Sequence, residues 1–143
     1  MKRRLALFSL ALILILVPGI SACSSGAPQP EPTYSSAITE NLVFALATGD
    51  YAKYIQDMVP EMKAAVPEAT FQATVAQVKP KIGDYVSKVY TRTEQTDKYT
   101  IVYYKAKFSQ EPGDVLLKVV FQDVDSTMKV AGFWLDSPKL RAK

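Results

Sequence analysis

One cysteine and no histidine occur among the 143 residues, and this bounds the chemistry open to the chain. Serine–histidine and cysteine–histidine pairs are excluded within it, and so is a zinc site built on His or Cys. A single Cys forms no internal disulfide, so ordinary apolar burial must hold the fold together. Acid–base work falls to Asp, Glu, Lys and Tyr. Tyr51, Tyr54, Tyr85 and Tyr104 are the candidates for lining a cavity, with rings packed and hydroxyls at a polar rim. Asp123, Asp125 and Ser126 cluster like the start of a calcium loop. The Gly and terminal Glu of such a loop do not follow at the right spacing, so the cluster reads as a tight turn with solvated carboxylates. No catalytic, metal or cofactor motif appears.

The chemistry open to Cys23 is acylation. Lys2, Arg3 and Arg4 precede an apolar run over 5–17, broken by Pro18 and Gly19 and closed by Ile20-Ser21-Ala22-Cys23. A basic start, a short apolar middle and small residues at the cut make a secretory signal. The run is shorter than the roughly 20 residues that span a bilayer. A Cys at this place resembles the lipobox of bacterial lipoproteins. The resemblance implies a signal peptide over 1–22 and a Cys23 carrying diacylglyceryl and acyl chains such as palmitate. The rest would then be secreted, extracytoplasmic and lipid-anchored to the bacterial membrane. One acyl chain holds a protein only marginally, whereas two or more hold it stably.

Lys2, Arg3 and Arg4 would leave with the signal, so 17 basic residues become 14 against 14 acidic ones. A neutral mature chain lacks the uncompensated Lys and Arg of a phosphate-binding surface, which argues against nucleic acid as a partner. Residues 23–35 hold the lipidated Cys and a Pro/Ser linker. Such composition is extended and poorly packed, with a reach of roughly 35 Å at about 3.1 Å per residue. A globular domain is expected over 36–138 and a basic tail over 139–143.

The domain divides by hydrophobic period. Ile38, Leu42, Ala45 and Leu46 recur at helical spacing. Gly49 stops that helix, and Asp50 caps a second bearing Tyr51, Tyr54, Ile55 and Met58. Pro60 opens a short third turn. Pro67 suits the first turn of a fourth helix, with Phe71, Val75 and Val78 on one side, and Pro80 and Gly83 end the helical half. Four runs rich in Val, Tyr, Phe, Ile and Thr follow, over 85–96, 99–110, 114–124 and 128–136. Short polar links between them favour antiparallel hairpins. Helices followed by a strand meander predict an α+β fold, with N-terminal helices packed on one face of a four-stranded antiparallel sheet.

Strand parity separates the faces. Val102, Tyr104, Ala106, Phe108, Val115, Leu117, Val119 and Phe121 are assigned to the helix-covered side, with Ala131, Phe133 and Leu135 as the best match on the last strand. The other side carries Ile101, Tyr103, Leu116, Val120, Val130 and Trp134, more apolar than a solvated face should be. Exposed apolar patches mark contact surfaces, and Trp and Tyr are enriched at binding hot spots. Gly132 leaves flat space beside the Trp134 indole.

Phe44-Ala45-Leu46-Ala47-Thr48-Gly49-Asp50-Tyr51, Met62-Lys63-Ala64-Ala65-Val66-Pro67 and Ile82-Gly83-Asp84-Tyr85 occur in an order and spacing that resemble an uncharacterised bacterial family, domain of unknown function 3887. The resemblance implies a nuclear-transport-factor-2-like (cystatin-like) fold, with helices in the concave side of a curved sheet. The shared motifs are helix stops and caps, so they transfer no active site. Relatives of that fold hold small apolar ligands or run acid–base chemistry in the cavity, an isomerase of this kind using an Asp base with Tyr and protonated Asp donors. Here the covered face offers no acid before Asp123. The expectation is therefore a non-catalytic binding or interaction domain. It would form a homodimer or take a protein partner through the outer sheet face. The alternatives are a carrier of a small apolar ligand and an enzyme of the isomerase or dehydratase kind.

Overall fold

The structure, a computed structural model, describes residues 29–142. The signal over 1–22, Cys23, the linker positions 24–28 and Lys143 lie outside the described residues.

Five helices and four strands run in the order α1 (Ser35–Thr48), α2 (Tyr51–Ile55), α3 (Pro60–Ala65), α4 (Glu68–Ile82), β1 (Tyr85–Gln95), β2 (Thr100–Phe108), β3 (Glu111–Val124), β4 (Thr127–Asp136) and α5 (Pro138–Arg141). Gly49 closes α1 at φ 76°, in the left-handed region where glycine has no Cβ penalty. The Asp50 carboxylate then accepts the Lys53 amide at 3.1 Å and caps α2. Pro80 does not end α4. The helix continues to Ile82 although Pro80 has no amide to give its ladder, and the buried Ile82 side chain anchors that turn. Gly83, at φ 81°, makes the stop. A Cβ there would lie 2.3 Å from Ser109 Oγ.

The strands form one antiparallel sheet in the order β1-β2-β3-β4, an α+β architecture with the helices preceding the sheet. Period-two alternation puts Val102, Tyr104, Ala106 and Phe108 of β2 and Val115, Leu117, Val119 and Phe121 of β3 on one buried face. Leu42, Val43 and Leu46 of α1, Tyr54 of α2 and Phe71 of α4 complete the core against it. Tyr54 lies between Phe71 (4.6 Å between ring centroids) and Phe133 (6.2 Å), which joins α2 and α4 to the last strand.

One parity assignment is corrected. In the β3–β4 ladder Val120 faces Gly132, while the next residue, Phe121, faces Val130. Ala131 is thus an extra residue, a β-bulge that reverses the facing of everything before it on β4. Val130 points inward and is fully buried. It belongs to the core and not to the outer face. β4 is the edge of the sheet, and there Val130 donates to Asp57 O at 2.7 Å and accepts from the Val59 amide at 2.9 Å. These two bonds pin the α2–α3 connection to the sheet.

The fold also begins before position 36. Ser35 is fully buried and starts α1, and the Tyr34 ring packs edge-on to Phe121 at 5.2 Å. The Tyr104 hydroxyl, deep in the sheet, donates to Glu31 Oε1 and Ser35 Oγ, each at 2.8 Å. At the other end, 138–141 form α5 in place of a simple solvated tail, with Ser137 Oγ accepting the Leu140 amide as cap. Residues 111–113, expected as a link, are the opening of β3.

Asp125 and Ser126, at φ 51° and 62°, form the two-residue β3–β4 turn. Positive φ at both positions suits the twist of a hairpin but strains a residue with a Cβ. Ser126→Gly is expected to raise stability by about 1 kcal/mol, read as a melting temperature a few degrees higher. An unchanged or lower melting temperature would contradict this reading of the turn.

Candidate functional site

The four tyrosines named from the sequence do not meet in one cavity. Tyr51 donates its hydroxyl to Val66 O at 3.0 Å. Tyr85 donates to Glu40 Oε2 at 2.8 Å, and burial first, then Glu40, raises its pKa. Tyr104 is held by Glu31 and Ser35, with its pKa raised chiefly by burial. Tyr54 alone faces an open cleft. Burial pushes its pKa up to about 12, and its hydroxyl makes no hydrogen bond among the described residues. Asp123 is exposed at the far end of β3. No group of three or more His, Cys, Asp or Glu among the described residues could hold a metal ion.

Five of the six outer-face residues named from the sequence do share that face: Ile101 and Tyr103 on β2, Leu116 and Val120 on β3, and Trp134 on β4. The ladders set Arg92, Tyr103, Lys118 and Trp134 in one row across the sheet, and Ile101, Val120 and Gly132 in the next. Trp134 is 54% exposed and Leu116 50%. The indole lies flat over Gly132, where a Cβ would come within 2.5 Å of the ring. Cations stand over both aromatics, the Lys118 ammonium 5.0 Å from the Trp134 ring and the Arg92 guanidinium 3.7 Å from Tyr103. Glu94 accepts from Arg92 and from the Tyr103 hydroxyl, each at 3.0 Å; the Arg92 bond first, then Tyr103, hold its carboxyl below the usual range. The residues enclose a groove of about 360 Å³ that runs from Arg92 past Leu116 to Trp134.

A second concavity, of about 720 Å³, opens where α4 and α5 meet β4. Tyr54, Val78, Phe133, Leu135 and Leu140 give it apolar walls, and Lys81 is the charged side chain among its lining residues. Val78 reads from the sequence as part of the apolar stripe of α4, and Phe133 and Leu135 as helix-facing positions of the last strand. The parts missed from the sequence come from α5. Ser137-Pro138 is a helix-start signal, so the helix that carries Leu140 could have been found. Glu111 left no such trace. It is buried at the mouth of β3, where its carboxylate accepts the backbone amides of Gly113 (3.4 Å) and Lys139 (3.2 Å) and so ties α5 to the sheet.

Hydrogen bonding from Ser137 first, then from the Lys139 and Gly113 amides, holds the Glu111 carboxyl below the usual range. A depressed folded pKa contributes stability that is present above the unfolded value and lost as pH falls through the folded one. The wild type is therefore expected to melt above Glu111→Gln at neutral pH, with the gap closing as the solution is acidified through the carboxylate range. A gap of constant size across that titration would show that Glu111 acts by shape and not by charge.

Residues 39–133 match a family described as Protein of unknown function (DUF3887). No curated protein matches the chain.

Proposed function

The chain belongs to the DUF3887 family, and from that premise we propose that it is an extracytoplasmic lipoprotein whose domain binds without catalysis and self-associates through the outer face of its sheet. The observation that carries the binding reading is the pairing of Leu116 and Trp134, each half exposed on a face that one strand bulge keeps turned away from the helices. Isolated exposed apolar residues are ordinary on a monomer, but a grooved patch with an aromatic anchor is the usual form of a contact surface.

Charge favours a second copy as the occupant. Cations (Arg92, Lys105, Lys118) and carboxylates (Glu94, Asp114, Asp136) share this face or its margin. A two-fold packing of such a mixed face on itself sets opposite charges together. The order of helices and meander, with irregularities in all three ladders that bend the sheet, supports placing the domain with the nuclear-transport-factor-2-like folds.

The lipid anchor rests on Ile20-Ser21-Ala22-Cys23. No helix among the described residues is long and apolar enough to cross a membrane. The Tyr90 hydroxyl donates to the Gln29 carbonyl, so the tether is already held to the domain at Gln29. Six residues of chain from Cys23 reach at most roughly 20 Å, which keeps the domain nearer the head groups than a 35 Å tether would.

Two results test this reading. Cys23→Ser is expected to abolish acyl labelling with an alkyne palmitate and to release the protein from membranes; persistent labelling would refute the anchor. Trp134→Asp is expected to leave a folded domain, judged by circular dichroism, that sediments as a monomer where the wild type sediments as a dimer. Identical sedimentation of the two would remove the outer face as the contact surface.

A further inference from the structure

The cleft between α4, β4 and α5 shares a single lining residue, Trp134, with the outer groove. Its volume of about 720 Å³ lies within the range of small-molecule sites, about 300–1,000 Å³. The walls are chiefly apolar, and no Asp or Glu is among the lining residues. Besides the exposed Thr74 and Gln77, two polar groups interrupt them. One is the Tyr54 hydroxyl, on a side chain more than nine-tenths buried and without a hydrogen-bond partner among the described residues. The ring is buried while the hydroxyl stays open to the cleft, free to donate to a ligand there. With its pKa at about 12 this group remains protonated and acts as a donor.

The other is Lys81. Its ammonium donates to the backbone carbonyls of Ala142 at 2.7 Å and Leu140 at 3.5 Å, and no carboxylate among the described residues lies within salt-bridge distance. Two neighbouring cations differ. Lys79 is matched by Asp84 at 3.6 Å and Arg141 by Asp136 at 2.7 Å. Lys139, on α5, donates to the Gln110 carbonyl. The cleft therefore carries a net positive charge beside an apolar interior.

We propose that this cleft binds a free long-chain fatty acid as its carboxylate, with the acyl chain against Tyr54, Phe133, Leu135 and Leu140 and the head group paired with Lys81. A single chain with one negative charge matches one cleft with one lining cation. A diacyl phospholipid brings a second chain and a bulkier head. A neutral apolar compound would make no use of the Lys81 ammonium. For a domain held close to a membrane, fatty acid is available by partition from the bilayer.

The test uses the full chain in its membrane with a diazirine-bearing fatty acid as probe, followed by peptide mapping after illumination. Crosslinks are expected in peptides from α4 and from 133–140, and excess palmitate should compete them away while hexadecanol should not. Lys81→Gln is expected to cut labelling about tenfold, the worth of one charge-assisted bond. Ala76→Phe, an exposed position that lines the cleft, should block labelling with the fold intact by circular dichroism. Labelling confined to the outer face or the N-terminal segment would overturn the proposal. So would labelling indifferent to Lys81→Gln, or equal labelling of the same peptides by a diazirine phospholipid.

Discussion

A single inserted residue, Ala131, governs how the two faces of this sheet are divided. Strand side chains alternate strictly, so one extra residue in β4 turns Val130 into the core while Gly132 and Trp134 stay on the outer side. Without it, either Val130 would be exposed or Phe133 and Leu135 would leave the helix-covered face. β4 is the edge of the sheet, and the Val130 amide and carbonyl, turned away from β3, are taken up by the α2–α3 connection. Core packing and the outward indole thus share one backbone irregularity.

Polar groups close the rest of the interior. Lys88 projects to the covered face of β1 with its side chain 7% exposed. Its ammonium meets Ser36 Oγ at 2.8 Å, Glu40 Oε2 at 3.3 Å and the Tyr104 ring at 4.9 Å. A buried ammonium is tolerated only when matched in this way. Together with the Tyr104 bonds to Glu31 and Ser35, it fastens α1 and the segment just before it across the sheet. That network accounts for tyrosines that looked like cavity lining: their hydroxyls serve as ties between elements, and only Tyr54 is left facing an open space.

The fold was largely legible in the sequence because its signals are local. Gly49-Asp50, Pro60 and Gly83 mark helix ends through backbone geometry, and the alternation in β2 and β3 names the core face residue by residue. Val130 was misplaced because parity counting assumes an unbroken ladder, and a bulge depends on what pairs across the sheet. Tyr34 and Ser35 were assigned to the linker on composition, which does not register two particular side chains fitting Phe121 and Tyr104. Ile101, Tyr103, Leu116, Val120 and Trp134 share the outer face, as alternation in an unbroken stretch of strand requires. The α4–α5 cleft was not foreseen, since it is made by helix ends meeting a strand edge.

Trp134 is the only tryptophan in the chain, so its fluorescence reports directly on the outer face. The most direct measurement is the emission maximum and iodide quenching of the wild-type protein as concentration rises, taken alongside sedimentation mass. A blue shift and loss of quenching that follow the doubling of mass are the result this account predicts. A doubled mass with Trp134 still open to iodide, or a single monomer mass at every concentration, would contradict it.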